Sequence, residues 1–89
     1  MPKKRRKLDK DFEKIIYSSK KKIELILAKI YDIHDDDIQK EYMNAFQEVV
    51  NLFEILNSDY NLVGFHKDSE LLNDNLKKAI SKFEAEYEI

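Results

Sequence analysis

The sequence predicts an all-α fold: an antiparallel three-helix bundle with a basic N-terminal tail. Three observations carry that prediction. One Gly and one Pro in 89 residues are too few turn formers for a β fold. Lys, Glu, Leu and Ile are abundant, and all but Ile sit high in helix propensity. Three long stretches repeat apolar residues at intervals of three and four, which gathers them on one helix face.

The strongest stretch is the middle one, from Ile38 to Leu56. Its repeat runs Ile38, Tyr42, Ala45, Val49, Leu52, Leu56, widened by Met43, Phe46, Val50 and Phe53. At about 100° per residue that arc spans roughly half the circumference, more than one neighbour can cover. The second helix is therefore expected in the centre, over about 36–57. Asp36 followed by Gln39 reads as a capping box for it, and Asp35, Asp36 and Asp37 suit the positive end of its dipole.

The first helix is expected over about 9–33, capped by Asp9 or Asp11. Its core positions are Phe12, Ile16, Ile23, Ile26 and Ile30, with Ser19 standing where a large side chain would continue the stripe. The third, over about 68–88, starts from Asp68 and carries Leu72, Leu76, Ala79, Ile80, Phe83 and Tyr87. Its stripe is narrower, so it belongs on the outside. Residues 1–8 form a basic tail, either disordered or extending the first helix, and 9–89 form a single domain.

The chain is near the lower size limit for independent folding. It has no cysteine, so neither disulfides nor thiolate metal sites can staple it. Helix packing has to supply the core, with a second copy as a possible aid. Leu25 and Ile55 fall outside their stripes and are the residues expected at a homo-oligomer contact. No run is long and apolar enough to span a membrane, and charged residues fill the place of a signal peptide's apolar region. A cytoplasmic location follows, or a nuclear one in a eukaryotic host.

A net charge of −2 conceals a polarity. Residues 1–29 hold eleven Lys/Arg against four Asp/Glu, whereas 30–89 hold five against fourteen. Such polarity directs assembly or partner choice. The run Lys3-Lys4-Arg5-Arg6-Lys7 after Pro2 resembles a monopartite nuclear localisation signal. Clustered cations also bind nucleic acid or anionic lipid by releasing counterions, or simply keep a tail solvated. If Lys10, Lys14 and Lys21 extend that charge along the first helix, the face could follow a phosphate backbone. It holds no Asn, Gln or Arg for base readout, so such binding would be sequence-tolerant.

The connection Asn57–Lys67, NSDYNLVGFHK, is expected to be a loop around the only glycine, Gly64. Its apolar residues Tyr60, Leu62, Val63 and Phe65 are candidates for a partner-binding patch, or for a plug closing the end of the bundle. The His34, Asp37, Glu41 spacing admits a metal, but three consecutive aspartates do not make a calcium loop; capping is their expected role, and neither metal nor cofactor is expected. Phosphate-cradling loops, a nucleophile elbow and a Cys nucleophile are all missing from the sequence, so no catalysis is expected.

In size and Lys/Asn/Ile-rich style the chain is similar to small bacterial and phage proteins such as bacteriocin immunity proteins, antitoxins and phage-encoded inhibitors. That likeness of type implies action by occupying a protein surface, and it carries over no residues. The expected function is a small non-enzymatic binding protein of inhibitor, immunity or adaptor type, docking on another protein. The alternative is a sequence-tolerant nucleic-acid binder using residues 3–21.

Overall fold

The computed structural model describes residues 7–88. Three helices make up the fold, α1 (Lys7–Tyr31), α2 (Asp36–Val63) and α3 (Ser69–Tyr87). They form an antiparallel all-α bundle. The start of α1 lies beside the end of α2, where Asp9 meets Tyr60 and Phe65. The start of α2 lies beside the end of α3, where the Tyr42 and Tyr87 rings sit 4.6 Å apart.

Phe12, Ile16, Ile23, Ile26 and Ile30 of α1 face Phe46, Val49, Leu56 and Tyr60 of α2 and Leu76, Ile80 and Phe83 of α3 in one core. α2 packs closely on both neighbours, while α1 and α3 stand further apart. Their seam is bridged by long side chains, as in the Lys22–Glu84 ion pair at 3.3 Å. Ser19 is half-buried beside that seam. Ile38, counted on the central stripe, is instead 44% exposed, because α2 begins past the end of α1.

Two caps differ from the sequence expectation. Asp35, not Asp36, is the N-cap of α2, accepting the N–H groups of Asp37 and Ile38 at 2.9 and 3.1 Å. Gln39 does not turn back to its own helix. Its amide N–H groups reach the Ile30, Tyr31 and Ile33 carbonyls at 3.2–3.3 Å, satisfying orphan acceptors at the end of α1. Asp9 is likewise inside α1 rather than its cap, because α1 already runs from Lys7.

The larger difference lies at the end of α2, which continues six residues past Asn57 to Val63. Asn57, Ser58 and Asp59 disfavour helix by about 2 kcal/mol together. Burying Tyr60 offsets this with roughly 2–3 kcal/mol of apolar transfer, to which a ring contact with Phe12 and a hydroxyl bond add. Packing wins over propensity. The expected eleven-residue loop shrinks to the segment from Gly64 to Asp68.

Candidate functional site

The end of α2 is organised by one residue, Asp9. Asp9 Oδ1 accepts the Phe65 N–H at 2.8 Å, and the Asp9 carbonyl accepts the Tyr60 hydroxyl at 2.8 Å. Gly64 makes the approach possible. It sits at φ +72°, and a Cβ there would lie 3.1 Å from Asp9 Oδ1. Its N–H closes α2 on the Tyr60 carbonyl at 2.8 Å. Phe65 then lays its ring on Phe12, centroids 5.1 Å apart. His66 continues the turn. Its Nδ1 accepts the Asp68 N–H, which leaves Nε2 to donate to the Asp59 carboxylate.

This clasp divides the four residues expected in one apolar patch. Tyr60 is 8% exposed and Phe65 is half-buried, so both plug the bundle's end. Leu62 stands on the other side of the same helical turn, 83% exposed, and Val63, the last residue of α2, is 61% exposed. Helical rotation carries Leu62 about 200° from Tyr60 to the outside, whereas Val63, three residues past Tyr60, is exposed because α2 ends there and Gly64 turns the chain away. About two turns earlier, Ile55 is 53% exposed on the same outer face as Leu62. Between them lie Ser58 and, before them, the Gln47–Asn51 side-chain hydrogen bond at 2.9 Å. Glu41, Glu48 and Glu54 flank this strip in solvent; among the described residues, exposed Lys40 on α2 and Lys67 just past its end are the cations nearest it in sequence.

The outer face of α1 has the opposite character. Lys10, Lys14 and Lys21 are all exposed there, as the sequence spacing requires. Among them stands Tyr17, 59% exposed, with the Lys21 ammonium 5.4 Å from its ring centroid. Leu25 follows at 66% exposure. Lys7 opens the helix, while Lys3, Lys4, Arg5 and Arg6 lie outside the described residues. The structure thus keeps Lys10, Lys14 and Lys21 on one face of α1, on a different side of the bundle from Leu62.

Sequence reasoning missed Tyr17, whose place between Lys14 and Lys21 was legible from the three-and-four spacing. It also missed Asn73. That side chain is 5% exposed, and among the described residues its Oδ1 has no hydrogen-bond partner. It lies behind a furrow of about 310 Å³ between α1 and α3, floored by Phe12, Ile15 and Phe65. Asn73 follows the same three-and-four stripe as Leu76 and Ile80, so its burial was readable. Its missing partner was not.

Among the described residues, no three His, Cys, Asp or Glu side chains converge in a way that could hold a metal ion. Nor does any helix of the described residues have the length and apolar character to cross a membrane. Compared with known protein families, with curated proteins and with solved structures, the chain matches none.

Proposed function

We propose that this chain is a non-enzymatic binding protein that docks on another protein through the outer face of α2, from Ile55 to Val63. The observation that carries this reading is the exposure of Leu62 and Val63 side by side on a turn held rigid from behind. Apolar surface in water costs about 25 cal/mol per Å², and α2 continues into this turn although three residues before it disfavour helix. The Asp9–Phe65 and Asp9–Tyr60 bonds fix the turn before any partner arrives. Ordering on docking then costs little, which is how preorganised surfaces gain affinity. Glu48 and Glu54 beside the strip select a partner with an apolar centre and a basic rim.

Photocrosslinking from a reactive side chain at position 62, in cells that make the chain, tests this directly. A discrete crosslinked species that disappears in a Val63→Ser background is the expected result. Crosslinking no different from that at exposed Ser81, on α3, would count against the α2 face.

A second reading rests on Tyr17. An exposed aromatic among Lys10, Lys14 and Lys21 suits a single strand, whose bases stack on aromatic rings while lysines meet phosphates. About five phosphate contacts along residues 3–21 would give a log–log salt slope near −3.5 on a single strand. Deletion for this test should stop at residue 6, because Asp9 belongs to the clasp. Random-sequence DNA and RNA binding that fails at about 50 mM salt would remove this reading.

A further inference from the structure

The two outer faces fit each other, and we infer that the outer face of α2 in one copy docks on the outer face of α1 in a second copy, giving head-to-tail self-association. This assignment rests on the α2 face being a docking surface and adds an occupant for it.

Three features point to a second copy of this chain. The first is charge. Lys10, Lys14 and Lys21 line one face, and Glu41, Glu48 and Glu54 flank the other. The second is the spacing of the apolar knobs. Tyr17 and Leu25 are eight residues apart, a rise of about 12 Å, and Ile55 and Leu62 are seven apart, about 10 Å. Two exposed apolar residues on each helix can therefore meet across a contact while opposite charges meet beside them. The third is topology. Within one chain α1 and α2 already pack on each other through their buried faces, so their outer faces cannot meet intramolecularly.

Symmetry also limits the choice. A two-fold contact of α1 on α1 would oppose lysines, and one of α2 on α2 would oppose glutamates. Like charges brought together cost free energy and suppress such pairings. Of these three pairings of the α1 and α2 faces, the crossed one matches signs. A crossed contact is heterologous, so a pair of copies keeps one unoccupied face of each kind, one at each end, and the assembly grows with concentration. In that state the α2 face is covered by another copy, and a more basic or more apolar partner has to displace it.

The test is sedimentation velocity on the full chain across a hundred-fold concentration range, at about 50 and about 500 mM salt, where screening differs severalfold. The average mass should climb with concentration at low salt and return to that of the monomer at high salt. Lys14→Glu with Lys21→Glu, and separately Glu48→Lys with Glu54→Lys, should each weaken association at least tenfold. Mixed in equal amounts, those two variants should associate again, because each then offers the face the other lacks. All four positions are exposed, and circular dichroism checks that helicity is retained. Leu62→Ser supplies a charge-neutral variant that should also lower the average mass. A monomer at every concentration overturns the assignment. So does association that survives either charge reversal, or a mixture that stays monomeric. If association fails while crosslinking from position 62 still captures another protein, the docking surface stands and only its self-occupancy is lost.

Discussion

Asp9 is the residue on which the end of the bundle turns. Its side chain and its carbonyl each hold a different part of the α2 terminus. Asp9→Ala should cost about 1–3 kcal/mol, the value of a charge-assisted bond to a half-buried N–H. Asp9→Asn keeps an acceptor and should cost less; urea unfolding separates the two. Gly64→Ala should cost about 1–3 kcal/mol, since φ +72° with ψ −162° is a conformation kept by glycine and that Cβ would press on Asp9 Oδ1. Asn73 predicts the reverse sign. Its buried Oδ1 has no partner among the described residues, so Asn73→Leu should leave stability unchanged or raise it. Tyr87 adds a pH dependence. Burial against Tyr42 and Phe83, then the carboxylates of Glu86 and Glu41, hold its phenol above the ordinary 10.0. In the unfolded chain it ionises first, so this contribution is complete below about pH 10 and is lost as pH climbs through the raised value. The stability difference between the wild type and Tyr87→Phe should be flat from about pH 7 to 9 and shift against the wild type above 10. Equal curves at alkaline pH would show that the two phenol states are not distinguished by folding.

At the scale of elements, what was legible and what was not divides along local and distant causes. The core stripe of α1, from Phe12 to Ile30, is buried as its periodicity requires, because a helical face is set by spacing alone. The end of α2 was not legible. Asn57, Ser58 and Asp59 are a local stop signal, and it is overridden by Tyr60 finding Phe12 and Asp9 from fifty residues away. Gln39 misled for the same reason: its partners are carbonyls of the preceding helix rather than its own N–H groups. The patch from Tyr60 to Phe65 was visible as apolar, but its division into plug and exposed strip depends on the helix continuing. Asp35 is a purely local cap, and Asp35→Ala should lower stability by about 1 kcal/mol, read from the thermal midpoint. An unchanged midpoint would mean that Gln39 alone holds the α1–α2 corner.

For the whole molecule, the charge polarity of the sequence becomes a difference between faces. Basic α1 and acidic α2 are neighbours in the core and point outward in different directions, so the bundle offers one basic and one acidic strip, each with exposed apolar side chains. A rigid α2 terminus with Leu62 and Val63 outward is the basis of the docking proposal, and the clasp behind it is what separates folding from binding.

That separation is open to one paired measurement: thermal unfolding and partner crosslinking on Leu62→Ser/Val63→Ser and on Tyr60→Ser/Phe65→Ser. The first pair should melt within a few degrees of the wild type, as surface changes do, and lose crosslinking. The second should lose several kcal/mol of stability, as deletion of buried aromatic rings does. The opposite pattern, with the first pair unfolding or the second melting like the wild type, would contradict the account.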